Sequence, residues 1–230
     1  MGTGVAMKRS IGAGLCLLVL SACGQAVSDD PFVTAVNSIR GGLFNRDTGG
    51  GAAFTATRDS LRESGITNPV MITRVPARDI AVGLIDYQRN RGVTVWRSTD
   101  GATISTAGGV LLNTRGFGTD LHSLESAPVE AALLSGGPAE YSRVFRAIDG
   151  EGALQRARLF CQLAPVGPER IDVLGRAYDT RHFRETCTAD GTDGPLFEND
   201  YWRGPDGTIW KSRQWAGPEL GYLELERVIN

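Results

Sequence analysis

The stretch VTVWRSTDGATISTAGGVLLNTRG, residues 93–116, decides the fold class of this sequence. It contains three short runs rich in β-branched and apolar residues, separated by Asp100-Gly101 and by Gly108-Gly109. Asp-Gly and Gly-Gly pairs are typical of tight hairpin turns, because these residues tolerate the positive φ angles that such turns require. The stretch therefore predicts three consecutive antiparallel strands.

Similar runs cover most of the chain on both sides of this stretch. They read VMITRV, IAVGLIDYQRN, LQRARLFCQLA, RIDVLGRAYD, RHFRETCTA, DYWRG, TIWKSRQW and YLELERV. The run AEYSRVFRAI at 139–148 fits either a strand or a helix, whereas TRDSLRES at 57–64 predicts a short helix ending at Gly65. We expect a mainly β protein, in which an antiparallel meander forms a barrel- or sandwich-like domain with one or two short peripheral helices.

The N-terminus has the order of a secretory signal. Lys8 and Arg9 precede the apolar run IGAGLCLLVL at 11–20, and LSAC at 20–23 follows. The run is too short for a membrane-spanning helix. LSAC resembles the lipobox of bacterial lipoproteins, in which cleavage precedes the cysteine and its thiol carries the lipid, here Cys23. The alternative is an ordinary signal peptide with a cysteine by chance, and Met7 competes with Met1 as the true start.

The expected domain organisation follows from this leader. Residues 1–22 are predicted to be removed, 23–54 to form a lipid-anchored tether with a short helix after Asp30-Pro31, and 55–230 to form a single β-rich domain. By resemblance to enterobacterial sorting, Gly24 after the lipidated cysteine favours the outer membrane, with the domain facing the periplasm. The predicted anchor makes the membrane a partner through the N-terminal lipid.

Charge and cysteine usage narrow the classes of partner and cofactor. The mature chain is acidic, which disfavours nucleic acid as a partner. Cys16 leaves with the leader and Cys23 takes the lipid, so Cys161 and Cys187 remain as a pair in an oxidising compartment. This pair predicts a disulfide. A metal site is the alternative, but it needs more ligands, and the two histidines show no ligand-like spacing; we expect no metal or other cofactor.

The chain lacks the common catalytic signatures. It has no Gly-x-Ser-x-Gly elbow and no His-Glu-x-x-His, and the glycine-rich TRGFGTD at 114–120 lacks the lysine of a phosphate loop. Asp120 and Glu198 are one of many carboxylate pairs that a glycosidase reading would allow, and the sequence gives no reason to prefer them. We therefore predict no catalytic residues and a protein that is not an enzyme.

The tryptophans raise the question of a ligand surface. By strand alternation Trp210 and Trp215 point to opposite faces, so we expect one in the core and the other partly exposed. Trp215 beside Arg213 fits an exposed sugar platform, while core packing or a protein interface is the alternative for all four rings. In the loop at 115–120, an Arg–Asp pair satisfied internally competes with ligand contact. The candidate glycan or partner surface is Trp96, Arg115, Asp120, Trp202, Trp210, Arg213 and Trp215.

Several segments together resemble the YjbF family of outer-membrane lipoproteins, which includes the group 4 capsule lipoprotein GfcB. The matching elements are the lipobox, TRDSL at 57–61, the block at 93–124, the cysteine pair in FC and ETC, and the closing block NDYWRGPDGTIWKSRQWAGPELGYLELERV at 199–228. The resemblance covers nearly the whole mature chain and implies a role in making or exporting an extracellular polysaccharide.

Three functional hypotheses follow. The favoured one is a non-catalytic envelope lipoprotein that supports exopolysaccharide or capsule assembly or export through contact with envelope proteins of the export system. The second is a glycan-binding module that contacts the polysaccharide itself through an exposed Trp and Arg surface. The third is a periplasmic hydrolase.

Overall fold

The computed structural model describes residues 1–2, 57–148, 152–190 and 193–228. Predictions for the leader, for Cys23 and for the tether with its short helix lie outside the described residues. The strands are β1 (Val70–Val75), β2 (Ile80–Asn90), β3 (Val93–Arg97), β4 (Thr103–Ala107), β5 (Val110–Arg115), β6 (Ser123–Leu124), β7 (Ala139–Ile148), β8 (Leu154–Val173), β9 (Arg176–Ala189), β10 (Phe197–Arg203), β11 (Ile209–Trp215) and β12 (Tyr222–Arg227). The helices are α1 (Arg58–Glu63) and α2 (Ala127–Ser135), with a 3₁₀ turn at Pro76–Arg78.

The described strands form one antiparallel sheet in the order β5-β4-β3-β2-β1-β12-β11-β10-β9-β8-β7-β6. Apart from the β1–β12 pair, every strand neighbours the strand before or after it in the chain, as expected for a meander. The sheet curls into a nearly closed barrel, and the backbone N–H of Thr114 at the end of β5 donates to the carbonyl of Leu121 just before β6. The mainly β prediction is confirmed, with the barrel as the observed alternative.

The predicted hairpin turns are present, and they also approach distant parts of the barrel. Gly109, between β4 and β5, has φ of +90°, and an added Cβ would lie 2.7 Å from the Cβ of Ile209 on β11. A side chain at this position would therefore collide with the facing strand as well as strain the turn. The run 139–148, which fitted either helix or strand, is β7.

Successive side chains of a strand point to opposite faces, so the buried apolar residues form separate clusters. Met71 of β1 joins the large interior cluster, whereas its neighbour Ile72 joins a second cluster with Leu61 of α1. A third cluster joins Val129 and Leu133 of α2 to inward residues of β8, β9 and β10. β1 is therefore buried on both faces, and each helix packs its buried residues against the strands.

Both helices are short and fixed by specific contacts. The predicted helix after Thr57 is confirmed as α1, with Thr57 and Ser60 forming a capping box. Arg58 then donates to the carbonyls of Val173 at 2.9 Å and of Leu174 at 3.2 Å, and also to the carbonyl of Val228. Neither described helix is long and apolar enough to cross a membrane.

Candidate functional site

Three of the four tryptophans are buried. Trp96 lies in the large interior cluster and donates its indole N–H to the hydroxyl of Thr106 at 2.9 Å. Trp210 belongs to the cluster beneath α1, and Trp215 belongs to the interior cluster. These rings form hydrophobic core and cannot contribute to the surface that the sequence suggested for them.

The expectation that Trp215 is exposed is wrong. Its side chain is 9% exposed, and its ring stacks on Phe197 with centroids 4.6 Å apart. The backbone N–H of Trp215 donates to the side-chain carbonyl of Asn199 at 2.7 Å instead of to the backbone of β10. The β10–β11 register is also shifted between Trp202 and Arg203. Alternation relative to their neighbours therefore fails at both tryptophans, although Trp210 and Trp215 do lie in clusters on opposite faces, as predicted, and neither ring is exposed.

Trp202 is the partly exposed tryptophan, but its ring offers no open face. It stands between cross-strand neighbours, with the His182 ring stacked at 4.6 Å and the Lys211 ammonium 5.6 Å from its centroid. The guanidinium carbon of Arg213, two positions after Lys211 on β11, lies 3.4 Å from the centroid of the Tyr222 ring on β12. A sugar platform needs a free aromatic face. These side chains instead pack on one another on the outer surface of β9–β12.

His182 is held by carboxylates on this same outer surface. Its Nε2 lies 2.7 Å from Asp200, and its Nδ1 lies 3.2 Å from Glu169. Arg184 donates to the same Asp200 oxygen at 2.9 Å. Both ring nitrogens therefore have protein partners, and the four side chains form a polar network that connects β8, β9 and β10.

Arg115 and Asp120 lie in one loop, but they do not form the internal pair that was the alternative to ligand contact. Asp120 accepts hydrogen bonds from the hydroxyl of Thr114 at 3.0 Å and from the backbone N–H groups of Gly116 at 2.7 Å and Phe117 at 3.0 Å. Arg115 donates through Nη1 to the backbone carbonyls of Thr114 and Leu121. The carboxylate closes the loop through its backbone, which leaves the arginine side chain exposed.

The same loop is anchored to the barrel from beneath. Phe117 is 2% exposed and packs in the interior cluster, and its carbonyl accepts from the guanidinium of Arg78. Gly116 has φ of +82°, and an added Cβ would lie 3.2 Å from the Cα of Ala102. Any larger residue at Gly116 would strain the turn and push against backbone. The loop is therefore a preformed rim.

This rim borders a cavity of about 570 Å³ at the seam between β5 and the β6–β7 edge, here called the seam cavity. A volume in this range suits a small ligand or one or two sugar units. Thr119 donates to Glu219 at 2.6 Å and so joins the loop to the β11–β12 connection. The residues that line the cavity are Arg115, Gly118, Thr119, Asp120, His122, Ile148 and Glu219.

A second polar cluster lies inside the barrel around Glu185. Its carboxylate accepts from Arg143 at 2.9 Å, from the hydroxyls of Tyr141 and Tyr201 at 2.9 and 3.0 Å, and from the Asn199 amide at 2.7 Å. Arg143 and Glu185 are both 0% exposed. We call these five residues the Glu185 cluster.

Burial and mutual interactions shift the pKa values of three residues in the Glu185 cluster. Burial raises the pKa of Tyr201 and of Tyr141, and the negative charge of Glu185 raises both further. Burial alone would lower the pKa of Arg143, but its interactions with Glu185, Tyr201 and Tyr141 together outweigh burial, and the pKa is raised. These directions keep Arg143 charged and both phenols protonated at neutral pH. The cluster is enclosed, and it stabilises the joined strands β7, β9 and β10.

The predicted disulfide is confirmed. Cys161 on β8 and Cys187 on β9 face each other in register and are bonded, with an S–S distance of 2.01 Å. Glu185 lies near both sulfurs, so these three residues have the composition of a metal site. The two sulfurs are bonded to each other, however, which removes the thiolates that a metal would require.

Sequence reasoning missed His122 and Glu219 as cavity residues. Glu219 is separated by a hundred positions from Thr119, its hydrogen-bond partner. Glu219 reaches the cavity through the curvature of the sheet, whereas His122 follows Asp120 by two positions but stands in no catalytic or ligand-like spacing. Of the seven surface residues suggested by the sequence, Arg115 and Asp120 are the two that line the cavity.

Comparison with known proteins identifies relatives of this fold. A family model described as "Group 4 capsule polysaccharide lipoprotein gfcB, YjbF" matches residues 38–228. The chain is also similar to the crystal structure of the hypothetical lipoprotein YmcC from Escherichia coli K12, with a TM-score of 0.64 and 19% identity over 75% of this chain and 93% of that one. At this identity the structural similarity shows a shared fold. No curated protein matches the sequence significantly.

The family match extends over most of the chain and includes every described strand and both described helices. It agrees with the segments that carried the resemblance in the sequence, namely TRDSL, the block at 93–124 and the closing block at 199–228. The chain therefore belongs to the YjbF family of group 4 capsule polysaccharide lipoproteins.

Proposed function

We propose that this protein is a non-catalytic, lipid-anchored envelope component that supports the assembly or export of a capsule-type polysaccharide through contacts with export proteins. The observation that carries the proposal is the family match over residues 38–228. The lipobox ending at Cys23 supplies the anchor in this proposal, and Gly24 favours the outer membrane with the domain in the periplasm.

The polar chemistry of the described residues supports a non-catalytic role. Asp120 accepts three hydrogen bonds from its own loop, and Glu198 bonds Thr186 on the outer surface at 3.3 Å, away from the seam cavity. His182 has a carboxylate at each ring nitrogen. The protein's own residues therefore already occupy these groups as hydrogen-bond partners.

The alternative hypothesis of a hydrolase predicts that the purified protein shortens the native polysaccharide, which size-exclusion chromatography would detect.

The main test is genetic. We expect a deletion strain to present less polysaccharide at its surface and the wild-type gene to restore it. A Cys23→Ser variant should incorporate no palmitate analogue and should restore less polymer, because the domain is no longer held at the membrane. Normal surface polysaccharide in the deletion strain would contradict the proposed role. Continued labelling of the Cys23→Ser variant would contradict the anchor alone.

The seam cavity favours a second candidate function, direct contact with the polysaccharide. Its rim is preformed, its volume suits sugar units, and it contains Arg115 and His122. Calorimetric titration of the purified lipoprotein with fragments of its own exopolysaccharide tests this idea. Binding that is lost in Arg115→Gln and kept in Trp202→Ala would support the cavity. The opposite pattern would move the glycan site to the outer surface of β9–β12.

A further inference from the structure

We propose that the seam cavity selects an acidic sugar, with Arg115 and His122 binding the carboxylate of a uronate unit. This inference rests on the second candidate function and adds the chemical class of the ligand. It follows from which polar groups of the cavity are already engaged by the protein and which remain available.

The two acidic side chains of the cavity are engaged. Asp120 accepts one hydroxyl and two backbone N–H groups of its own loop. Glu219 accepts the hydroxyl of Thr119 at 2.6 Å, which links two loops of the rim. These neutral donors solvate the two carboxylates and fix their positions, so the acids serve mainly to shape the cavity.

Arg115 and His122, by contrast, retain donors for a ligand. Arg115 uses Nη1 for two backbone carbonyls, and within the described residues its Nε and Nη2 have no hydrogen-bond acceptor. The ring of His122 likewise has no hydrogen bond to any residue that the structure describes. A guanidinium fixed through one nitrogen is oriented, and its remaining edge suits a carboxylate, which it binds through parallel N–H···O bonds.

The apolar wall of the cavity distinguishes a sugar acid from a bare anion. Ile148, at the end of β7, is 50% exposed and lines the same cavity. Contact with the C–H groups of a sugar ring would cover part of this side chain, which is favourable in proportion to the apolar area removed from water. A small free carboxylate would leave Ile148 exposed and would gain only the electrostatic contact. The combination favours a ring that carries a carboxylate.

The test uses the full-length lipoprotein purified in detergent, titrated by calorimetry with three probes. Trigalacturonate carries the proposed chemistry, maltotriose is a neutral sugar of equal length, and acetate is the bare carboxylate. We expect trigalacturonate to bind at least about tenfold more tightly than either other probe, and to weaken about tenfold in Arg115→Gln and in His122→Gln. Arg156→Gln is the matched control, because it removes an exposed arginine outside the cavity.

The remaining outcomes overturn the inference in distinguishable ways. Equal binding of trigalacturonate and maltotriose would refute the acidic class, and equal binding of acetate would refute the contribution of the sugar ring. Trigalacturonate binding that is the same in Arg115→Gln, His122→Gln and Arg156→Gln would refute the site. Absence of trigalacturonate binding at about 10 mM would refute the ligand class. In that case, binding of native exopolysaccharide fragments would leave the second candidate function intact.

Discussion

The Glu185 cluster and the seam cavity contain the same kinds of side chain, yet they differ in how those groups are engaged. In the cluster, the Glu185 carboxylate accepts from four neighbouring side chains and is closed off from solvent. In the cavity, the acids are engaged by the rim, while Arg115 is exposed and keeps part of its guanidinium for other partners.

The difference separates structural polar groups from recognition groups. A buried ion pair held by neighbouring side chains fixes the packing of its strands, and removing one partner leaves the other charged and enclosed. An exposed donor on a preformed loop contributes little to folding and remains available to a ligand. Substitutions in the cluster are therefore expected to lower the stability of the fold, and substitutions in the cavity are expected to weaken ligand binding.

The largest effect is expected for Glu185→Ala. Removing the carboxylate leaves the buried guanidinium of Arg143 without its counter-charge, so the free energy of unfolding should fall by about 3–5 kcal/mol. Urea denaturation measures this value. Glu198→Ala is the matched control, because Glu198 is exposed on the neighbouring strand β10, and its loss should cost less than about 0.5 kcal/mol. Similar losses in the two variants would contradict a structural role for the cluster.

Removal of the disulfide is expected to have the next largest effect. Cys161 and Cys187 are 26 positions apart, and a cross-link of this span restricts the unfolded chain by about 3 kcal/mol. The Cys161→Ala/Cys187→Ala variant should lose about this amount in urea denaturation and should not respond to reductant. An unchanged unfolding midpoint, or a wild-type protein insensitive to reductant, would show that the bond contributes nothing to stability.

Alkaline pH should weaken the Glu185 cluster more gradually. Tyr141 and Tyr201 have raised pKa values because of burial and the charge of Glu185, whereas unfolded tyrosines ionise near pH 10. Their stabilisation is thus complete below about pH 10 and falls as pH rises further, by about 3 kcal/mol at pH 11 for the two tyrosines together. Denaturation at pH 9 to 11 measures the slope. Tyr141→Phe should reduce this slope, and an unchanged slope would contradict the assignment.

The smallest effect on stability is expected in the seam cavity. Arg115 is exposed and its loop is closed mainly by Asp120, so Arg115→Gln should change the free energy of unfolding by less than about 0.5 kcal/mol. Urea denaturation of this variant beside Glu185→Ala compares the two regions directly. A loss of several kcal/mol in Arg115→Gln would make the arginine a structural residue and remove the contrast.

Much of the fold was predictable because strand pairing here is mostly local. Asp100-Gly101 and Gly108-Gly109 mark turns between sequence neighbours, and the observed sheet order keeps those neighbours together. Helix α2 was missed. Its sequence APVEAALLS places apolar residues on both sides of the helix, since Val129, Ala132 and Leu133 are buried while Ala131 and Leu134 are exposed, and so it shows no amphipathic period.

The candidate site was less predictable, because strand irregularities change which face the tryptophan side chains take. Alternation predicts faces only while a strand stays in register. The β10–β11 pair shifts at Trp202, and the backbone of Trp215 bonds the Asn199 side chain. The aromatic stretch is therefore core and ion-pair surface, and the available donors lie in the loop at 115–122 instead.

The sequence by itself determined the antiparallel meander, the pairing of Cys161 with Cys187, the short helix after Thr57 and membership of the family. Each depends on short-range spacing or on composition, which the chain carries in any conformation. The tertiary structure alone decided which tryptophans are buried and that Thr119 bonds Glu219 a hundred residues away. Curvature of the twelve-stranded sheet brings its two edges together, and this closure depends on packing across the whole barrel.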